Sequence, residues 1–127
     1  MLRGIHHVAV TCSDHQKSKR FYVAALGLEV VREIYREEQR FFKLDLKLGQ
    51  RYQLELFSFP NPPERVSLPE ACGLRHSAFA VESVEEVTRI PATKGVPIEP
   101  VRVDEHTNKR FAFFRDPDNL PIEIYVR

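Results

Sequence analysis

Residues 113–125 read FFRDPDNLPIEIY, a run in which two apolar segments flank a cluster of turn-forming residues. Within residues 116–119, proline presets φ and asparagine tolerates a left-handed conformation, so this cluster predicts a tight hairpin between two strands. Side chains alternate faces along a strand, which places Ile122 and Ile124 on the packing face and Glu123 on the opposite face. The carboxylate of Glu123 therefore faces either solvent or a functional site.

The same pattern occurs earlier in the chain. Residues 51–59 also form an alternating run with a central glutamate, Glu55, and Tyr52 is predicted to share the packing face with the leucines on either side of Glu55. Each glutamate follows a predicted strand that contains a histidine: His7 precedes Glu55 by 48 positions, and His76 precedes Glu123 by 47. Such matched offsets are expected from an internal duplication.

The duplication predicts an α+β protein of two βαβββ modules. Module one spans residues 4–59, a linker with four prolines spans 60–72, and module two spans 73–126; together they are expected to form a single domain over 1–127. Strands are predicted near 4–12, 28–36, 39–48, 51–59, 74–82, 98–104, 109–115 and 120–126. The first helix is predicted to begin at Ser13 or Asp14 and close at Gly27. The second is predicted to begin at Ser83, with a kink or an early end at Ile90 because Pro91 follows, and to close at Gly95.

Composition limits the classes of function. The chain is 43% hydrophobic and 29% charged, which is typical of a soluble globular protein. No apolar run approaches the roughly 20 residues of a spanning helix, so we expect a cytoplasmic protein with no membrane partner. The net charge of +1, with basic and acidic residues interspersed, lacks the basic stripe of a nucleic-acid-binding surface. Cys12 and Cys72 form neither a disulfide framework nor a zinc-finger spacing.

Because side chains alternate along a strand, the faces opposite the bulky apolar ones carry His7, Glu55, His76 and Glu123. Small residues accompany each histidine on its face, which would leave room for a ligand. Taken singly, a strand histidine or glutamate is more often a core or solvated residue. Four such residues at matching offsets favour a metal site, because buried carboxylates are costly unless they are paired or coordinated.

Two imidazole nitrogens and two carboxylate oxygens suit one divalent cation, namely Zn²⁺, Ni²⁺, Co²⁺, Fe²⁺ or Mn²⁺. The predicted metal ligands are therefore His7, Glu55, His76 and Glu123. Other charged or imidazole side chains give weaker signals: His15 and His106 are predicted to lie at the surface, and Arg75, Lys109 and Arg110 are interpreted as solvated charges rather than an anion site.

These residues resemble the vicinal oxygen chelate superfamily, which includes glyoxalase I, methylmalonyl-CoA epimerase, extradiol dioxygenases and fosfomycin- and bleomycin-resistance proteins. Its signature is a pair of βαβββ modules with a histidine in the first strand of each and a glutamate in the last. The resemblance covers the whole chain, and residues 55–60, 63–65 and 70–76 are similar to small bacterial glyoxalase-I-like proteins of the YaeR type. Asn119 stands where the family often has glycine.

The resemblance implies a cupped mixed sheet around the metal, built within one chain or between two chains, and a homodimer is expected. It also implies an enzyme, a glyoxalase-I-like lyase or isomerase that moves a proton next to a carbonyl of a small chelating substrate. Glu123 or Glu55 would be the base, and the pseudo-symmetry does not choose between them. The alternatives are a non-catalytic small-molecule binding or resistance protein and an extradiol-type dioxygenase. The dioxygenase is the weaker alternative, because the resemblance implies a metal site of two histidines and one carboxylate for that class, and this chain offers a second carboxylate.

Overall fold

The computed structural model describes residues 1–90 and 95–127. It contains β1 Val8–Cys12, α1 His15–Lys19, a π-helical segment Arg20–Ala25, β2 Glu29–Arg36, β3 Phe41–Leu48, β4 Arg51–Ser58, β5 Ser77–Val81, α2 Val84–Thr88, β6 Arg102–Val103, β7 Arg110–Arg115 and β8 Pro121–Val126. The chain divides into two compact units, Met1–Pro63 and Glu64–Arg127. The order of elements confirms the predicted pair of βαβββ modules, an α+β fold with two mixed sheets.

The two units have the same topology. Unit one orders its strands β1-β4-β3-β2 and unit two orders them β5-β8-β7-β6, and in each the first strand pairs parallel with the last while the other pairs are antiparallel. The registers also correspond, because Ala9 pairs with Glu55 in unit one and Ala78 pairs with Glu123 in unit two. Each candidate histidine thus lies two positions before the alanine that pairs with its glutamate.

The core of unit one lies between its helical segments and its sheet. Phe21, Tyr22 and Ala25 of the helical segments are buried, and they pack with the apolar face of the strands, where Leu44 and Leu46 are fully buried. Asp14 caps α1 by accepting a hydrogen bond from the Lys17 backbone N–H at 3.0 Å. Gly27 adopts the left-handed conformation at φ 80°, which closes the helix as predicted.

The core of unit two has the same construction on a smaller scale. Val84 of α2 is fully buried, as are Ala112 and Ile122 from the sheet. Ser83 Oγ accepts a hydrogen bond from the Glu86 backbone N–H at 3.2 Å, which confirms the predicted cap. The helix ends at Thr88, before the predicted end at Ile90, and the predicted effect of Pro91 lies outside the described residues.

Three of the predicted strands are shorter by at least four residues in the structure. The strand predicted over 98–104 is confined to Arg102–Val103, because Pro97 and Pro100 have no backbone N–H to donate to a ladder. The strands predicted from residues 4 and 74 begin at Val8 and Ser77, so His7 and His76 lie just before their strands rather than within them. For His76 the reason is Pro121, the first residue of β8. Pro121 would face His76 across the ladder, but it has no backbone N–H to donate.

The prediction that His15 lies at the surface is wrong. Its side chain is buried, its ring stacks on Phe42 with centroids 4.2 Å apart, and its Nε2 lies 2.6 Å from Glu33 Oε2. The hydrogen bond from His15, followed by that from Lys19, holds the pKa of the Glu33 carboxyl below its ordinary value. A polar partner on β2 thus allows a first-turn histidine to face the sheet, whereas His106 is exposed as predicted.

The hairpin between β7 and β8 confirms the turn predicted at residues 116–119. Asn119 adopts φ 67°, and Asp116 Oδ1 accepts hydrogen bonds from the backbone N–H groups of Asp118 and Leu120 at 2.9 and 2.8 Å. The turn therefore sets the start of β8, the strand that carries Glu123. No helix in the described part of the chain is long and apolar enough to cross a membrane.

The left-handed residue of this turn gives a testable prediction. Asn119→Val is expected to lower the free energy of unfolding by about 1–2 kcal/mol, because a β-branched side chain clashes with the backbone at positive φ. Asn119→Gly is the matched control and is expected to keep or slightly raise stability. Chemical denaturation measures both variants. Equal stability of the valine and glycine variants would contradict the prediction.

Candidate metal centre

Unit one presents a histidine and a glutamate side by side. His7 Nε2 lies 3.4 Å from Glu55 Oε2, with the two side chains 37% and 11% exposed. The parallel pairing of β1 with β4 produces this approach, since Glu55 stands opposite Ala9 on the next strand. The Nδ1 atoms of His6 and His7 are 2.8 Å apart, so the far side of the His7 ring has its own polar partner.

Unit two presents an equivalent pair. His76 Nε2 lies 3.4 Å from Glu123 Oε2, with the side chains 26% and 14% exposed. The His76 ring makes an edge contact with Phe113, with centroids 5.1 Å apart. Its Nδ1 is buried, and no described residue forms a hydrogen bond with it. The aromatic contact and the burial hold the imidazole so that Nε2 faces the carboxylate.

The spacing within each pair fits two ligands of one cation. A separation of 3.4 Å exceeds the usual range of an N–H···O hydrogen bond, about 2.7–3.2 Å. Two atoms bound at about 2.1 Å to a tetrahedral ion are separated by about 3.4 Å. Within neither unit do the described residues add a third histidine, cysteine, aspartate or glutamate at metal-binding spacing. Each pair therefore offers one imidazole nitrogen and one carboxylate oxygen to a cation.

The surroundings of the two glutamates differ. The Tyr52 hydroxyl donates a hydrogen bond to Glu55 Oε2, and Lys43 Nζ lies 3.8 Å from Glu55 Oε1. Burial, and then the bond to Glu55, raise the pKa of the Tyr52 hydroxyl well above its ordinary value, so Tyr52 stays a donor. Among the described residues, only His76 lies within ion-pairing distance of the Glu123 carboxylate. Glu55 is thus restrained from several sides, and Glu123 is not.

The prediction that Tyr52 lies on the packing face of β4 is also wrong. The sequence pattern placed it on the packing face, but its hydroxyl reaches Glu55 and its ring lies 5.9 Å from the ring of His7. The cause is a register shift between Leu46 and Lys47, which are paired with Leu54 and Tyr52 respectively. An extra residue in one strand reverses the alternation beyond it.

A second polar residue near the unit-one pair was not singled out from the sequence. Asp45 stands opposite Glu55 in the β3–β4 ladder, is fully buried, and forms an ion pair with Arg32 at 2.9 Å. The sequence contains a signal for it, since Asp45 is a carboxylate inside the apolar strand β3, as Glu123 is inside β8. Phe113 occupies the corresponding position in unit two.

Unit two also contains open space beside its pair. A cavity of about 420 Å³ is lined by His76 and Glu123, and a second cavity of about 370 Å³ is lined by Glu123 and Tyr125. Arg102 and Phe111 line both cavities. A volume of this size is in the range of small-molecule sites. The Glu123 carboxylate is therefore accessible to a small ligand from the space on this face of unit two.

Two of the three charged residues interpreted as solvated have acidic partners in the structure. Arg75 Nε lies 2.7 Å from Glu70 Oε1, and Arg110 lies 2.5 Å from Glu85 Oε1. All four side chains of these pairs are at least 40% exposed. Lys109 is also exposed. These contacts agree with the interpretation of surface charges.

Residues 4–124 match the sequence model of the glyoxalase/bleomycin resistance protein/dioxygenase superfamily. The chain belongs to this superfamily, which confirms the resemblance derived from its histidines and glutamates. It is 54% identical over 125 residues to the uncharacterized protein YwkD of Bacillus subtilis, covering 98% of both chains.

Solved structures share the fold. The chain is similar to a glyoxalase family protein from Enterococcus faecalis, with 51% identity, a TM-score of 0.87 and 97% of both chains covered. It is 28% identical to the trypanothione-dependent glyoxalase I of Leishmania major, with a TM-score of 0.74 over 98% of this chain and 87% of that one. The fosfomycin resistance protein FosX of Listeria monocytogenes, solved with Mn(II) and sulfate, has the same fold at 19% identity, a TM-score of 0.75 and coverage of 100% and 94%.

Proposed function

We propose that His7, Glu55, His76 and Glu123 hold one divalent cation, of Zn²⁺, Ni²⁺, Co²⁺, Fe²⁺ or Mn²⁺, and that the protein is a glyoxalase-I-like lyase or isomerase. It moves a proton next to a carbonyl of a small chelating substrate. The observation that carries the proposal is the pair of His–Glu contacts, both at 3.4 Å and in equivalent register. The likeness to a glyoxalase I at 28% identity supports it. The two pairs come from one chain or from two chains of a dimer.

Glu123 is proposed as the residue that removes and returns the proton. A bound divalent cation would act as a Lewis acid on the substrate oxygens and so acidify the adjacent C–H group. The Glu123 carboxylate accepts no hydrogen bond from a described hydroxyl and lines both cavities, so its oxygens can reach a substrate carbon. Glu55, in contrast, is engaged by Tyr52 and Lys43, so its oxygens already have partners.

The neighbours of Glu123 suit a proton transfer that excludes water. Phe111 and Phe113 supply apolar walls to the larger cavity, and Phe113 stands opposite Glu123 in the β7–β8 ladder. Apolar walls keep water away from the atoms between which the proton moves. On the other side, Ala78 pairs with Glu123 and leaves space for a ligand. These residues position the substrate carbon against the carboxylate.

The test is isotope exchange with the full-length protein in D₂O. Dihydroxyacetone is a small α-hydroxy ketone and serves as the probe. We expect deuterium at its α-carbon above the buffer rate with metal-loaded protein and at the buffer rate with stripped protein. Consumption of dioxygen would replace the proposal with a dioxygenase. Tight binding of the ketone without exchange in any metal form would replace it with a binding protein.

A homodimer is proposed for the protein in solution. β2 is an edge strand of unit one, and its apolar side chains Val30, Val31 and Tyr35 are 41, 47 and 51% exposed. An exposed edge strand with apolar side chains is usually covered by a partner. Light scattering at micromolar concentration is expected to give the mass of two chains. The mass of one chain would contradict the dimer and would leave both His–Glu pairs to a single chain.

A further inference from the structure

The side chain of Arg102 lies over two aromatic rings of the unit-two sheet. Its guanidinium carbon is 5.0 Å from the centroid of Phe111 and 5.5 Å from that of Phe113. The described residues provide no carboxylate within ion-pairing distance of this guanidinium. A cation on aromatic faces is stabilised without using its N–H groups as donors to oxygen. Arg102 is therefore held in place while its donors stay available.

Two other arginines at the larger cavity, Arg65 and Arg75, are already engaged. Arg65 donates to the Leu74 and Arg75 carbonyl oxygens at 2.7 and 2.9 Å and to Ser67 Oγ at 2.9 Å. Arg75 is paired with Glu70. Arg115 also lines this cavity and is exposed, as Arg102 is, but it has no aromatic support in the described structure. Among the described arginines, Arg102 is the one that combines positioning by the rings with a place on both cavities.

The register links Arg102 to the His–Glu pair. Arg102 pairs with Phe111 in the β6–β7 ladder, Phe113 pairs with Glu123 in the β7–β8 ladder, and the His76 ring contacts Phe113. These side chains lie on one face of the sheet. Because neighbouring strands are about 4.8 Å apart, the backbone of β6 lies about 10 Å from that of β8. Arg102 reaches back over Phe113 across this gap, so one small molecule can touch both Arg102 and Glu123.

We propose that Arg102 binds an oxyanion of the substrate, a carboxylate or a phosphate, while the reacting end of that substrate meets His76 and Glu123. The guanidinium presents a planar set of donors that matches either oxyanion, and stacking reduces the entropy lost when it binds. The inference rests on the proposed function and adds the substrate class: a small anionic α-hydroxy carbonyl compound rather than a neutral one.

The test compares three ligands that share a hydroxy ketone. Dihydroxyacetone is neutral, dihydroxyacetone phosphate carries a phosphate, and hydroxypyruvate carries a carboxylate. Calorimetric titration of the metal-loaded protein is expected to show that at least one anion binds about 10- to 100-fold more tightly than the neutral ketone, the range of a hydrogen-bonded charge pair. The tighter of the two anions identifies the oxyanion.

Substitutions of two arginines test whether Arg102 causes the preference for the anion. Arg102→Met is expected to remove the preference for the anion and to leave the affinity for dihydroxyacetone unchanged, which also shows that the variant is folded. Arg102→Lys should retain part of the preference, because it keeps the charge and loses the planar donors. Arg36→Met is the matched control, since Arg36 is an exposed arginine at the end of β2 in the other unit. It should bind all three ligands like the wild type.

The proposal is overturned if the neutral ketone binds as tightly as both anions. It is also overturned if Arg102→Met weakens all three ligands equally, or if Arg36→Met lowers anion affinity as much as Arg102→Met does. Failure of the proposed function has a different signature. An anion preference without deuterium exchange would keep the role of Arg102 and remove the reaction, whereas exchange without any preference would keep the reaction and remove the role of Arg102.

Discussion

Replacing His76 with alanine is expected to weaken the binding of Zn²⁺ or Ni²⁺ by at least about 10²-fold. Loss of an outer-shell partner alone costs about 10- to 100-fold in metal affinity, and loss of a direct ligand costs more. His7→Ala should have a similar effect, because the two histidines occupy equivalent positions at 3.4 Å from their glutamates. Competition with a chromophoric chelator measures the affinity.

The control for this substitution is His106→Ala. His106 is exposed and belongs to neither His–Glu pair, so its loss should leave metal affinity at the wild-type value. Acidification should lower the affinity of the wild-type protein, because protons compete with the cation for imidazole nitrogen and carboxylate oxygen. Full metal occupancy of His76→Ala, or an equal loss in His106→Ala, would contradict the assignment of His76 as a ligand.

The second large effect is expected at the proposed base. Glu123→Gln, measured at saturating metal, should slow deuterium exchange of an accepted substrate at least on the order of 10²-fold, the low end of general base catalysis. Glutamine keeps a carbonyl oxygen for the metal but cannot accept the substrate proton. The assay is the rate of deuterium incorporation, followed by NMR with the metal content of each sample determined.

Glu55→Gln is the matched substitution in the other unit. It removes the same charge from an equivalent register position, so a difference between the two variants reports the proton-transfer role rather than metal binding alone. Because Glu55 accepts from Tyr52 and lies near Lys43, we expect it to act as a ligand and its substitution to slow exchange less at saturating metal. A larger loss in Glu55→Gln, or unchanged exchange in Glu123→Gln, would assign the base to Glu55 instead.

Local patterns predicted most of the fold. The turn at residues 116–119, the cap at Ser83 and the left-handed Gly27 depend on a few adjacent residues, so sequence was enough to predict them. The repeat was also predictable, because the offsets of the histidines and glutamates survive in both halves of the chain. The equivalent pairing of Ala9 with Glu55 and of Ala78 with Glu123 follows from that repeat.

The remaining features depend on contacts between distant segments. Tyr52 changes face because of a register shift against β3, and His15 is buried because β2 supplies Glu33 and β3 supplies Phe42. Arg102 acquires its position only when β6 pairs with β7. Neither alternation nor composition carries this information. The short β6 is different, since Pro97 and Pro100 were visible in the sequence and their missing donors should have limited the predicted strand.

Metal stoichiometry tests the central claim, that the two His–Glu pairs share one cation. The full-length protein is loaded with Zn²⁺, freed of excess metal, and its metal and protein contents are determined by elemental and amino-acid analysis. We expect one ion per 127-residue chain, whether the pairs come from one chain or two. Two ions per chain would mean that each pair binds its own metal, and an absence of retained metal would mean that the pairs are not a metal site.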